Sequence, residues 1–168
     1  DAHQQTFDLP SDAARYPLAT MSYSARLSPC RRYRFELWRR WAAGPYAMFI
    51  GLNPSTADET QDDPTIRRCI GFAKAWGFSA LCMTNLFAYR ATDPAVMKAE
   101  QFPIGGDEND LALRSLSESA GIVIAAWGVH GTHMERDAAV KKLVPNLQCL
   151  GTTKELSLIH ISEPTRPY

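Results

Sequence analysis

YAMFIGLNPSTADETQDDPTIRRCIGF, residues 46–72, is the stretch whose reading decides the fold. Its apolar opening, Ala47, Met48, Phe49 and Ile50, is too short for a helix and reads as a buried strand. The run breaks at Gly51, and Asn53, Pro54, Ser55, Thr56 and Asp58 follow as a dense polar loop. That loop ends at Asp63-Pro64, an N-cap acceptor followed by proline at the first helical position, where its missing N–H costs nothing. A strand, a polar loop at its carboxyl end and then a helix is the local arrangement in which open α/β sheets build ligand sites.

The chain around this stretch has 168 residues, room for one domain with a sizeable core. Hydrophobic residues make up 45% and there are four tryptophans, which places it among folded globules. A formal net charge of zero argues against a strongly basic nucleic-acid binder, although a local patch can still bind DNA. Cys30, Cys69, Cys82 and Cys149 are widely spaced, with no CxxC pair and no His/Cys cluster. No zinc site and no disulfide framework are expected, and a reduced, cytoplasmic setting fits. No apolar run approaches the roughly 18 residues of a membrane span, and no signal peptide is visible.

Residues 1–20 are polar and aperiodic and read as a disordered extension, with better patterning from Met21. At the other end LSLIHISEPTR, residues 156–166, is similar to the translation of a transposase adapter used in sequencing libraries. That similarity implies that residues 156–168 are read-through, and that residues 21–155 form a single α/β domain truncated at its C-terminus. His160 then carries no functional weight, and the remaining core is weakly basic.

Tyr33 to Leu37 alternates apolar and polar residues until Trp38 breaks the pattern, and reads as a half-exposed antiparallel strand at or near an edge. Five arginines between residues 31 and 40 form either a solvated strand face or a phosphate-contacting patch. Residues 64–76 read as a helix ended by Gly77. Residues 79–87 are a second buried strand, and Asp93-Pro94 begins another helix. Asp107 is expected to cap a helix carrying Leu111, Leu113 and Leu116. A strand over residues 121–127 and a loop at Gly128 lead to Thr132 and Glu135, the two ends of an expected capping box for a helix to Val144. A short strand starts at Leu147. Strands alternating with helices imply an α/β fold, a three-layer α/β/α sandwich with a mainly parallel central sheet. Right-handed crossovers then bring the loops after Ile50, Leu86 and Ala126 to one edge.

The chemistry available at that edge comes from Asn53, Ser55, Thr56, Asp58, Asp62, Thr65 and Arg68 of the first loop and helix. Asn85, Tyr89 and Arg90 follow the second strand, and Asn109, Trp127, Gly128 and His130 come later. There is no GxGxxG, no GxxxxGK[ST] and no GxSxG, which disfavours dinucleotide, P-loop and serine-hydrolase readings. Asn53-Pro54-Ser55 is either a plain turn or part of a site. Asp58, Asp62 and Asp63 are close enough in sequence to gather a cation, but Asp63 serves better as a cap, and neither metal nor cofactor is expected. Asn85 either satisfies backbone groups or touches a ligand. His130 is a loop residue or a base, and Trp127 is core or a stacking surface.

The motifs FIGLNPSTAD, DDPTIRRCIGFAKAWGF, NLFAYRATDP, GGDEND, AAWGVHG and CLGTTK, spread from Cys30 to Lys154, resemble a bacterial family known as domain of unknown function 1643. More loosely, Gly51-Leu52-Asn53-Pro54-Ser55 resembles the first motif of the uracil-DNA glycosylase superfamily, particularly its mismatch-specific branch. That resemblance implies a glycosylase-like fold and a cleft for a flipped base. It gives Asn53 the role of positioning the attacking water, with Leu52, Pro54 and Ser55 beside it. Ser55 departs from the glycine of that motif, and the superfamily's second, DNA-clamping motif would fall beyond Lys154. The resemblance further implies stacking on Phe72, Phe87 or Tyr89, an edge read by Asn85, and phosphates held by Arg68 or the arginines near residue 34. The expected function is a nucleic-acid base glycosylase or nucleobase-processing enzyme. The alternatives are a non-catalytic binder of DNA, a nucleobase or a nucleotide, and a hydrolase of a small nucleoside-like metabolite. Nothing in the sequence indicates a membrane partner or an oligomeric state.

Overall fold

The computed structural model describes residues 17–149 and 166–167. Most of the expected N-terminal extension and of the adapter-like segment lies outside these residues. The strands are β1 (Pro17–Leu27), β2 (Arg34–Ala42), β3 (Tyr46–Gly51), β4 (Ala80–Asn85), β5 (Ile122–Ala125), β6 (Leu147–Cys149) and β7 (Arg166–Pro167). The helices are α1 (Pro64–Ala75), α2 (Pro94–Ala99), α3 (Gly106–Ser119) and α4 (Arg136–Leu143), the last preceded by a 3-10 segment over Val129–Glu135.

The strands form one sheet in the order β1-β2-β4-β3-β5-β6-β7. Strands β4, β3, β5 and β6 run parallel, whereas β1–β2, β2–β4 and β6–β7 pair antiparallel. The sheet is therefore mixed, which corrects the expectation of a mainly parallel one. The reason lies in the connections. β1 and β2 are joined by a short link that permits only an antiparallel hairpin. The turn at residues 43–45 leaves no room for a crossover helix, so β2 runs opposite to β3 and pairs with the far side of β4.

Strand β3 is buried along almost its whole length because apolar layers cover both of its faces. Ala47 and Phe49 point into a cluster with Ile66, Cys69, Phe72 and Ala73 of α1. Met48 and Ile50 point the other way, into a cluster with Met97 of α2, Leu113 of α3 and Val140 of α4. In the first cluster Phe49 stacks on Trp76, with ring centroids 5.8 Å apart.

The helix ends follow the sequence only in part. Asp63 caps α1, its carboxylate accepting from Ile66 N–H at 2.9 Å, and Asp93 caps α2 through Ala95 N–H. At the other end of α1, Gly77 at φ 83° allows Gly77 N–H and Phe78 N–H to reach the carbonyls of Lys74 and Ala73. Two expectations are corrected. Helix α3 starts after Gly105, whose left-handed φ of 91° and close approach to Ala88 exclude a side chain, so Asp107 lies inside the first turn and caps nothing. Its buried face is Asn109, Ala112 and Leu113, which leaves Leu111 exposed. The Thr132–Glu135 capping box does not form, because α4 begins only at Arg136. Arg136 is buried, donates to Leu86 O at 2.8 Å and pairs with Asp110, which fixes where the helix starts.

Burial also sets the response to alkali. The Cys82 thiol, central in β4, is raised well above its ordinary 9.0, and Cys69 is pushed up to about 12, both chiefly by desolvation. A thiol whose folded value is raised contributes stability in full below pH 9, and that stability is lost as the pH climbs towards the folded value. Cys82→Ala is therefore expected to cost about 1 kcal/mol at pH 7 through lost burial. The cost should shrink or reverse by pH 11, as read from urea unfolding at the two pH values.

Candidate functional site

Strands β3, β4 and β5 end side by side, and a cleft of about 290 Å³ opens there against α1. Its size lies at the small end of the roughly 300–1,000 Å³ common for ligand sites. Helix α1 presents Thr65, Arg68, Cys69 and Phe72 to it, at the i, i+3, i+4, i+7 spacing of one helical face. Gly51, Leu52 and Asn53 line the opposite side. Met83 and Asn85, two positions apart on β4, share a face of that strand and form the floor, and Pro94 and Ala126 complete the rim. No carboxylate or imidazole belongs to this lining.

The loop over residues 52–63 has no regular structure, so its carbonyls need donors from elsewhere. Three guanidiniums supply them. Arg90 donates to Ser55 O and Thr56 O, each at 3.2 Å. Arg34 donates to Ala57 O at 2.9 Å. Arg39 donates to Asp58 O and Gln61 O at 2.6 and 2.9 Å and pairs with Asp62 at 2.7 Å. Arg34 and Arg39 are 2% and 0% exposed, so neither belongs to a solvated strand face or to a phosphate-contacting surface. Arg34 reaches the loop because the β1–β2 register shifts between Arg26↔Glu36 and Leu27↔Arg34, which leaves Phe35 as an extra residue and re-aims Arg34. Burial lowers the Arg34 guanidinium to about 10, so it stays charged at neutral pH.

The loop carboxylates are engaged as well. Asp58 accepts from Thr60 N–H and Gln61 N–H, and these bonds, Thr60's first, hold it below the ordinary carboxylate value. Asp62 pairs with Arg39, and Asp63 caps α1 while also accepting from Ala57 N–H. Among the described residues no group of three His, Cys, Asp or Glu gathers around one point.

Of the residues singled out from sequence, Leu52, Asn53, Thr65, Arg68 and Asn85 line the cleft. The Asn53 amide donates to Ala91 O at 2.8 Å and Pro54 O at 3.2 Å, which ties the loop to the segment after β4. Asn85 is buried, and its Oδ1 accepts from Arg34 at 3.4 Å. Gly51 makes room for it, since a Cβ there would lie 2.9 Å from Asn85 Nδ2 and 2.8 Å from Met83 Cε. Arg68 is exposed at the rim.

The other candidates serve the scaffold around the cleft. Pro54 O accepts from Ala91 N–H, Ser55 meets Thr92 at 3.1 Å, and Arg90 and Asp58 hold the loop itself. Tyr89 packs edge-on against Tyr33, and Phe87 is fully buried, so of the three aromatics considered for stacking only Phe72 reaches the cleft. Asn109 is fully buried and ties α3 to Asn85 O and Leu86 O. Trp127 lies against Gly131, Gly128 takes a left-handed turn, and His130 Nδ1 meets Lys98 Nζ at 2.8 Å on the outer surface. Sequence reasoning passed over Cys69 and Met83, although the helical spacing from Thr65 and the two-residue spacing from Asn85 point to them. It gave Arg34, among the arginines of residues 31–40, only a phosphate-holding role, whereas the side chain is buried behind the loop and its position depends on the register shift.

Residues 34–160 match the model of a family described as a protein of unknown function, DUF1643. The chain belongs to this family. The matched segment includes every residue that lines the cleft, together with all three loop-holding arginines. No curated protein and no solved structure matches the chain.

Two substitutions test this construction. Arg39→Met leaves Asp62 and Asp58 O without their guanidinium partner, and Gln61 O with only its bond from Asp58 N–H. It is expected to cost on the order of 3 kcal/mol in denaturant unfolding, with faster amide exchange over residues 58–62. Gly51→Ala is expected to cost about 1 kcal/mol. It should also displace Asn85, seen as a shifted side-chain amide resonance.

Proposed function

We propose that the cleft is a base-binding site in a three-layer, glycosylase-like domain, and that the protein releases or processes a nucleobase of a nucleic acid. One observation carries this reading. Two residues beyond β3, on a residue that lines the cleft, the Asn53 amide is fixed by its N–H bonds to Ala91 O and Pro54 O, which leave its carbonyl oxygen outside these bonds. A carbonyl oxygen fixed in this way accepts from a water O–H and orients that water without being a base. Phe72, itself stacked on Phe49 and Trp76, gives the cleft an apolar aromatic wall, Asn85 offers a polar group for a ligand's edge, and Arg68 a cation for phosphate.

In such a reaction the bond between sugar carbon and base nitrogen breaks, and its electron pair leaves with the base. Water held at Asn53 adds to the cationic sugar carbon and loses its proton to solvent. Positioning and electrostatics supply the rate, since no lining group abstracts a proton. The absence of carboxylate and imidazole from the lining favours a second reading, a binder of nucleotide or nucleic acid that performs no chemistry.

Duplexes containing uracil or a mismatch, incubated with the full-length chain and then treated with alkali, separate the two. Strand cleavage is expected, and Asn53→Ala is expected to reduce it about 100-fold while duplex affinity changes little. Salt-dependent binding without cleavage by the unmodified protein supports the second reading. Neither binding nor base release would defeat both.

A further inference from the structure

Arg34 is a buried cation that the reaction outlined above does not use. It is 2% exposed, and among the described residues it makes no ion pair with a carboxylate. Its Nε has no hydrogen-bond partner, and two of its donors reach Ala57 O and Asn85 Oδ1. A guanidinium has donors only, so it fixes which end of the Asn85 amide faces it. Oδ1 must turn towards Arg34, and Nδ2 then lies next to Gly51, on the cleft side. The charge behind the amide also polarises it and strengthens Nδ2 as a donor.

We infer that Arg34 is a positioning residue that commits the cleft floor to donating a hydrogen bond, so that the site selects planar ligands whose inner edge carries an acceptor oxygen over those carrying an amino group there. This rests on the base-binding reading and adds the class of ligand edge to it. An amino group at the same place would set donor against donor and leave both buried without a partner, which is a larger penalty than the loss of one bond. Arg34 also donates to Ala57 O, so the same guanidinium that orders the loop orders the floor.

The test compares pairs of probes that differ in one oxo or amino group, inosine against adenosine monophosphate and uridine against cytidine monophosphate, bound to the full-length chain. The unmodified protein is expected to favour the oxo member of each pair by about tenfold or more. Arg34→Lys keeps a charge but loses the fork, and is expected to bring the ratio to within about threefold of unity. A purely structural Arg34 would weaken both members equally and leave the ratio unchanged, which would overturn the inference. Should Arg34→Lys fail to fold, Asn85→Ala provides the same readout, because it removes the donor and leaves Arg34 its bond to Ala57 O. Equal binding of both members by the unmodified protein also overturns the inference while leaving the base-binding reading intact. Binding of no probe by the unmodified protein overturns the inference, while the duplex experiment decides the base-binding reading separately.

Discussion

The site depends on hydrogen bonds from three guanidiniums to the backbone carbonyls of one loop. Residues 52–63 join β3 to α1 without forming helix or strand, and such a segment keeps its shape only if its polar groups find partners. One arginine offers five N–H donors in a fixed plane, enough to gather several carbonyls at once. Arg39 does this for Asp58 O and Gln61 O, Arg90 for Ser55 O and Thr56 O, and Arg34 for Ala57 O. Two of the three come from β2, the antiparallel neighbour of β4. The least regular part of the parallel core is thus held in place by the strand that makes the sheet mixed.

Burying cations in this way is costly, since a charge removed from water loses several kcal/mol of hydration. Arg39 offsets the cost with the Asp62 ion pair and a bed of carbonyls, and it lies over the Tyr23 ring at 4.6 Å. Arg34 has less around it, and its lowered value of about 10 follows mainly from desolvation, with Asp63 acting in the opposite direction. Desolvation of this size is what burial of a guanidinium with no carboxylate in ion-pair contact produces. The contact of Arg34 with Asn85 shows where that charge is directed.

Much of this was legible in the residues. The apolar run ending at Gly51, the two Asp-Pro helix starts and Gly77 after α1 each follow from local chemistry, and each has its expected structural role. Asn53 and Asn85 stood out as polar groups at the ends of buried strands, and both line the cleft. The part that was not legible is long-range. An arginine on an alternating strand reads as solvent-facing, and only the neighbouring loop shows why Arg39 is buried in phase with Leu37. Arg34 is hidden more deeply, because the bulge at Phe35 changes the side on which it lies. The position of β2 beyond β4 likewise depends on what fills the space between β2 and β3, which no local pattern records.

The lining of the cleft has a consequence for how the protein responds to its surroundings. Polar contacts there come from two amides, a threonine hydroxyl and a guanidinium, and the one thiol, Cys69, is pushed up to about 12 by burial. Amides and a hydroxyl have no proton equilibrium in the ordinary pH range, and the raised thiol lies well above it. The cleft therefore presents the same face to solution from an acidified compartment to a mildly alkaline one. A bell or a slope in a pH profile recorded across that range would belong to the ionisation of the molecule that enters.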